Sequence, residues 1–384
     1  MKILAVTGAR SEYDLLSSLY KKLNADSFFE FGLVVTGSHL SPTYGNSVQQ
    51  IENDGLPIIE RIHNLVDSDE KIGRILSLGN QIPALALVFE REKPDIVLVA
   101  GDREEAISVT MTAAYMDIPA IHFFGGDIAK DGNIDNSVRY AAGKFAHLHF
   151  VTLPEHKNTL IKLGEEEDRI HVVGNPAIDN IFSTPALSMA ELSKNIGFEI
   201  AAKDYLLLIK HPIISEVEFE DKNMEIILEA LVKSGLKVVI NSPNSDAGNH
   251  RITRVIDQYV SKYPQFHSFK NLDRISYVNL MRNASALLGN SSSGLLEAPS
   301  LKLGTINIGN RQKGRIHGAN VQFVDHDQNQ ILTALKRILE DENYQRELAD
   351  CKNPYGDGNS VDKVIAVLKK LKITDQFIHK NITY

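Results

Sequence analysis

The chain alternates short, unbroken apolar runs with longer amphipathic stretches. In the first half the runs are KILAVTG (2–8), EFGLVVTG (30–37), DIVLVAGD (95–102), IPAIHFFGG (118–126), HLHFVT (147–152) and IHVVGNP (170–176). Helical patterns lie between them, over Ser11–Leu23, 68–92, Glu104–Met116 and onward from Glu155. The second half repeats the theme with YLLLIKH (205–211), LKVVINSP (236–243), SALLGNSSSG (285–294) and GTINIGN (304–310). Its helices are expected over Asp221–Ser234, Ile252–Lys262, Asp327–Glu340 and 363–372. Continuous β-branched runs between helices are the pattern of parallel strands covered on both faces. Two such blocks predict an α/β chain of two Rossmann-like, doubly wound domains with a central cleft. Pro176 and Pro185 place the linker near 180–190. The domains expected are therefore 1–183 and 184–365, followed by a terminal helix and tail over 366–384.

Bulk properties narrow the class. At 384 residues, with 43% hydrophobic and 23% charged positions, two sizeable cores are possible. The net charge of −8 argues against a nucleic-acid partner, which needs a strongly basic face. A single cysteine, Cys351, excludes an intrachain disulfide, and no Cys/His zinc spacing occurs. The start, MKILAVTGAR, is too briefly apolar for a signal peptide. No stretch approaches the ~20 apolar residues of a membrane span. A cytoplasmic protein without membrane attachment, metal or cofactor is the expectation.

In open parallel folds ligands bind outside the carboxyl ends of the strands, so chemistry is sought just after each apolar run. Gly8 permits a turn after the first run, and Arg10 opens the next helix, where free N–H groups suit a phosphate. Ser38 and His39 follow the second run; His39 is as readily a turn residue as a ligand. Asp102 and Arg103 follow the most apolar run, where Asp102 is either a site acid or a helix cap. The loop 122–144 spreads Asp127, Asp131 and Asp135 before Arg139. Paired carboxylates there suit proton transfer; equally, Asp135 caps the helix that carries Arg139. His211 ends the run YLLLIKH, placed to meet a diphosphate or donate a proton. Asn290, Ser291, Ser292, Ser293 and Gly294 end a buried strand at a helix start, an anion cradle of hydroxyls and N–H groups. Glu297 lies one turn in, where a carboxylate can accept ribose hydroxyls.

Taken together, the ordered set GARSEYD, TGSHL, YGN (44–46), GDR, the GG-acid…ID-x-S-x-R loop, KHP, PNSDAG (243–248), GNSSSG-x-x-E and NRQ-x-GR resembles the hydrolysing UDP-N-acetylglucosamine 2-epimerases of the sialic-acid type. The resemblance spans residues 1–372. It implies the GT-B architecture, with a terminal helix returning to the first domain. It also implies UDP held by His211, Asn244, Ser291, Ser292 and Arg311, with Glu297 on the ribose. Arg10 and Arg103 would reach phosphates and sugar, and Asp102 and Asp135 would serve catalysis. The implied reaction is anti-elimination of UDP to a glycal, then hydration to a free 2-epimerised sugar such as N-acetylmannosamine. A homodimer or homotetramer through the first domain is implied as well. The family pattern H-x-E-G-G-E stands here as HFFGGD: Phe124 replaces an acidic position, Asp127 shortens the next, and Tyr140 stands where a His often follows the Arg. The apolar Phe124 suits a 6-deoxy or 4-acetamido sugar, as in the legionaminic-acid enzymes that use UDP-diacetylbacillosamine or a GDP-linked sugar. A GT-B glycosyltransferase and a non-catalytic sugar-nucleotide binder are the readings from other classes.

Overall fold

A computed structural model describes the chain except residues 69–70, 129–133, 244–247, 270–271, 382 and 384. It divides into two compact units, Met1–Asn180 with Gly358–Tyr384, and Ile181–Asp357. The breaks lie at 180/181 and 357/358, against 183/184 and 365/366 expected.

The first unit runs β1 (Lys2–Thr7), α1 (Arg10–Ala25), β2 (Glu30–Thr36), α2 (Val48–Asn53), β3 (Ile58–Ile62), α3 (Lys71–Glu92), β4 (Ile96–Ala100), α4 (Glu104–Tyr115) and β5 (Ala120–Phe123). It continues α5 (Asp135–Phe145), β6 (Leu148–Val151), α6 (Pro154–Lys162), β7 (Ile170–Val172) and α7 (Pro176–Ser183), whose last turn crosses the break. Its seven strands are all parallel, in the order β3-β2-β1-β4-β5-β6-β7. Alternation along each strand feeds two cores. Ile3, Ala5, Leu33, Val35, Ile96 and Leu98 face one, while Leu4, Val6, Val34, Val97 and Val99 face the other.

The second unit holds α8 (Met189–Ile196), β8 (Tyr205–Ile209), α9 (Glu220–Ser234), β9 (Lys237–Asn241), α10 (Asn249–Lys262), β10 (Phe266–Phe269) and α11 (Arg274–Asn283). After these come β11 (Ala286–Gly289), α12 (Ser293–Leu296), β12 (Thr305–Ile308), β13 (Val321–Val324), α13 (Gln328–Glu340) and α14 (Glu342–Asp350). The sheet is parallel, in the order β10-β9-β8-β11-β12-β13. It too is buried on both faces, with Leu206, Leu208 and Val238 on one side and Tyr205, Leu207 and Val239 on the other. Numbered within each unit, both sheets carry the order 3-2-1-4-5-6, and the first unit adds β7 at its edge. The direction of winding therefore reverses between β1 and β4 in one unit and between β8 and β11 in the other. These are the switch points where doubly wound sheets bind ligands.

The chain then returns to the first unit as α15 (Ser360–Lys370) and α16 (Asp375–Ile378). Val361, Val364, Ile365 and Leu368 of α15 join the core that holds α1. The Asp179 carboxylate accepts from the Ser360 and Val361 N–H groups at 3.2 and 2.7 Å, capping the start of that helix.

One expectation is overturned. The stretch Ile72–Glu92 of α3 is long and apolar enough to cross a membrane by length and composition. Leu85, Val88 and Phe89 from it lie buried against the sheet, which accounts for part of that apolarity without a membrane.

Candidate active site

At the first switch point, β1 ends in Gly8-Ala9-Arg10 and β4 in Gly101-Asp102-Arg103. Both turns favour glycine, one for its backbone and one for its lack of a side chain. Gly101 has φ +83°, and a Cβ on Gly8 would stand 1.9 Å from Glu105 Oε1. Arg10 is half exposed and lies 3.5 Å from Asp14, leaving most of its guanidinium turned to solvent. Arg103, also exposed, stands at the N-cap of α4. Ser38 donates to the Gly8 carbonyl at 3.0 Å, so it braces the turn.

Asp102 is paired with Arg139, a buried guanidinium that also donates to the Asp127 carbonyl at 2.8 Å and to Asn136 Oδ1 at 3.2 Å. Arg139 thus joins the rim of β4 to the loop after β5. Asp127 accepts from its own following N–H, Ile128, at 2.8 Å, and its Oδ1 lies 3.4 Å from His156 Nε2. Asp135 is the first residue of α5 and does not cap it; the N-cap is Ile134, with no side-chain bond. It lies near enough to Arg74 to help raise that guanidinium's pKa, after the larger effect of the Arg74–Glu104 pair. Asp131 lies outside the described residues.

Sequence reasoning missed the layer beneath this rim. Glu12 accepts from the Gly8 N–H at 3.1 Å. Glu105 accepts from the Thr36 hydroxyl at 3.4 Å, and both carboxyls are buried. Gln81 donates to Thr36 Oγ1 at 3.3 Å, Asn64 donates to Gln81 at 3.3 Å, and Gly37 N–H donates to Asn64 at 2.9 Å. His122, wholly buried, has Nε2 at 2.7 Å from the Gly101 carbonyl. Burial pushes its pKa down to about 3, so it is neutral and donates through that nitrogen.

Placement corrects two assignments. His39, a candidate substrate ligand on sequence, is wholly buried, with Nε2 at 3.1 Å from Thr7 Oγ1 and Nδ1 at 2.8 Å from Ser47 Oγ. Burial lowers its pKa to about 4. It links β1 to the segment after β2 and offers no ring nitrogen to a ligand. Asn290, a second candidate for substrate binding, is wholly buried as well. Its Oδ1 accepts from the His211 N–H at 2.7 Å, and its Nδ2 donates to the His211 carbonyl at 2.8 Å. The amide closes the second switch point by stapling the turn after β8 to the turn after β11.

Around that staple the second rim combines hydroxyls and main-chain groups with the guanidinium of Arg311. Gly289, at φ +119°, lets β11 pass so close to β8 that a Cβ would stand 2.0 Å from the Ile209 carbonyl oxygen. Ser291, Ser292 and Ser293 follow, half buried. Ser291 Oγ accepts from the Ser293 N–H at 3.3 Å, and Tyr277 donates to Ser293 Oγ at 2.9 Å. The helix they open, α12, is a single turn, shorter than expected. Gly294 packs it against β12, where a Cβ would meet Thr305 Cγ2 at 2.6 Å. Arg311 and Gln312 donate to the Asn290 carbonyl at 3.2 and 3.0 Å, so the NRQ loop lies on the serine turn. Glu297 is paired with Arg274. Asn244 lies outside the described residues.

Beneath His211 sits a second feature the sequence did not flag. Lys210 Nζ lies 2.6 Å from Glu220 Oε2 and 3.1 Å from the His211 carbonyl. Glu220 Oε1 in turn accepts from Ile213 N–H at 2.6 Å. Lys210 and Glu220 are 1% and 0% exposed. Burial pulls the Lys210 pKa down, against the attraction of Glu220. The ion pair fixes the His211-Pro212 turn from below.

Two parallel sheets of one strand order, each with its turns gathered at a switch point, make the chain a protein of two Rossmann-like units, the fold class of GT-B-like proteins. The match to the UDP-N-acetylglucosamine 2-epimerase family covers residues 21–369, and the chain belongs to that family. It is 33% identical over 383 residues to a UDP-N,N'-diacetylbacillosamine 2-epimerase (hydrolyzing) of Legionella pneumophila, covering 100% of this chain and 99% of the relative. It is also 33% identical over 382 residues to a GDP/UDP-N,N'-diacetylbacillosamine 2-epimerase (hydrolyzing) of Campylobacter jejuni, covering 99% and 98%. The crystal structure of UDP-GlcNAc 2-epimerase from Neisseria meningitidis bound to UDP-GlcNAc matches with a TM-score of 0.79 at 21% identity, over 97% of this chain and 100% of that one.

Proposed function

We propose that the protein is a hydrolysing 2-epimerase that converts a UDP-linked 2-acetamido sugar and water to UDP and the free 2-epimer. The observation that carries this reading is the Asp102–Arg139 couple at the first switch point, a carboxylate aimed by a buried guanidinium at the rim of β4. In the elimination a base takes the proton from C2, the C1–O bond breaks, a C1–C2 double bond forms, and UDP departs with the bonding pair. Water then gives hydroxyl to C1, and a proton returns to C2 on the other face. Asp102 and Asp135 are assigned to the proton transfers, with Asp127 beside them. Arg10 and Arg103 are cations suited to the charge that grows on the leaving diphosphate. The serine turn, His211, Arg311 and Glu297 are assigned to the UDP.

Within this class we favour UDP-N,N'-diacetylbacillosamine, the substrate named for the Legionella relative. Phe124 supports it. This half-buried aromatic ring stands at the end of β5 with φ +65°, a conformation that costs a bulky residue on the order of 1–3 kcal/mol. The ring packs on the first core, and its apolar exposed part suits a 6-deoxy sugar better than a 6-hydroxyl. UDP-N-acetylglucosamine is the second reading, favoured by the family's name. The free sugar would feed a sialic- or legionaminic-type pathway in the cytoplasm. The assay is nucleotide release with no acceptor present, from UDP-N,N'-diacetylbacillosamine, its GDP-linked form and UDP-N-acetylglucosamine. Release of UDP with free sugar, fastest from the first, is expected. Release only on adding an acceptor would favour a glycosyltransferase, and binding without turnover a sensor.

A homodimer through the first unit belongs to the same proposal. Ile72, Ile75, Leu76 and Leu87 lie at helical spacing on α3 and are 57%, 60%, 48% and 73% exposed. Such a stripe is the kind of apolar patch that another protein surface covers. Light scattering should give twice the chain mass, and Leu76→Asp should halve it.

A further inference from the structure

Glu12 and Glu105 are two acids of the first unit that the proposed reaction leaves without a role. They come from different helices, α1 and α4, and both are buried. They converge on Gly8: Glu12 Oε2 accepts its N–H at 3.1 Å, and Glu105 Oε1 occupies the space a Cβ of residue 8 would need. Glu105 Oε1 also lies 2.9 Å from the Cβ position of Gly37. Three strand ends, those of β1, β2 and β4, therefore meet over two carboxyls. Glu12 Oε1 is buried with no hydrogen-bond partner. A buried carboxylate oxygen left without a donor is costly. A proton on the neighbouring carboxyl would supply that donor.

We propose that Glu12 and Glu105 share one proton as a carboxyl–carboxylate pair, and so act as positioning residues that hold the Arg10 and Asp102 turns in register. The charged groups facing the pair are Arg103 and Asp102 from the β4–α4 turn and Glu104 from α4. Tyr20 faces Glu12 from its own helix, and Thr36 of β2 contributes a hydroxyl. Two ionised carboxylates buried side by side repel each other and lack the water that would solvate them. Burial first, then the neighbouring Glu105, pushes the Glu12 pKa up to about 8, and burial raises that of Glu105. A folded pKa above the unfolded value means the native state holds an extra proton between the two. Stability therefore falls as pH rises from about 4.5 to about 8 and levels off above.

The test uses the full-length protein and its Glu12→Gln and Glu105→Gln variants. An amide at either position still donates to the remaining carboxylate but cannot titrate. Infrared difference spectra of the wild type, taken below and above about pH 8, should show a protonated-carboxyl C=O band that disappears on titration. Both variants should lack it. Their melting temperatures should lose the downward slope of the wild type across that window and exceed it on the alkaline side. The spectra and the melting need no substrate, so their outcome is separate from that of the epimerase reading. Given that reading, the alkaline fall of kcat/KM in the wild type should be absent from Glu105→Gln, and Glu105→Leu should lose roughly tenfold or more because Glu12 is left without its donor. A band that persists in both glutamine variants, or a wild type with no such band, would overturn the proposal. So would variants whose melting keeps the wild-type slope.

Discussion

At the second switch point one neutral amide, Asn290, bonds both ways to the backbone of His211 and holds the turns after β8 and β11 together. At the first, two carboxyls lie under the turns after β1 and β4. The two units share a strand order, yet the groups that lock their ligand turns differ in kind. The amide cannot titrate, so this staple is the same at any ordinary pH. Its hydroxyls and main-chain groups suit a ligand that is gripped without being changed. The first rim carries acids at two levels, Asp102 paired with Arg139 above and the glutamates beneath, beside the exposed Arg10 and Arg103. A surface built this way suits proton chemistry. On the proposed assignment, repeating a fold does not repeat its role: one unit holds the nucleotide and the other carries the proton transfers.

Five substitutions, one of them a compensating partner, probe that contrast. Asp102→Asn removes a proton-transferring carboxylate while keeping a partner for Arg139. We expect kcat to fall by about 100- to 10,000-fold with KM changed far less. Lys210→Met leaves Glu220 buried and unpaired, and equilibrium unfolding should show a loss of about 3–5 kcal/mol. Lys210→Met with Glu220→Leu should recover much of it. Asn290→Ala unlocks the second switch point; a loss of about 1–3 kcal/mol should be read in KM for the UDP-sugar, with kcat less affected. Glu12→Gln should act most mildly, flattening the stability profile between about pH 4.5 and about 8 while leaving the second unit's melting untouched. Domain-resolved melting by hydrogen exchange would separate the two.

The sequence shows the buried strands plainly, because strands covered on both faces must be unbroken apolar runs. It hides the edges. β3, β10 and β13 each flank a sheet on one side only and read IIERI, FHSF and VQFV, with polar residues between apolar ones. None of these stands out as a strand. α14 is hidden too, since ENYQRELAD buries only Tyr344 and Leu348. Site residues at strand ends are legible for the same reason the strands are: the end of an apolar run marks the rim. What lies one layer below is not. Glu12 and Glu105 look like ordinary surface acids of amphipathic helices, and Lys210 like the polar end of a strand. Only the packing shows that they are buried. His39 misleads in the opposite sense, being polar and near the rim in sequence yet directed inward. A glycine pattern holds part of the missing signal. Glu105 fills the space beside Gly8, and the Gly8 carbonyl and Glu105 together fill that beside Gly37, whose φ is +59°.

The epimerase reading requires that a C–H bond beside the anomeric carbon is broken and remade. Proton NMR of the reaction in heavy water follows that bond, with UDP-N,N'-diacetylbacillosamine as substrate and UDP-N-acetylglucosamine beside it. UDP and a free, 2-epimerised sugar carrying one deuterium at C2 are expected. A free sugar that keeps its C2 proton would rule out the elimination.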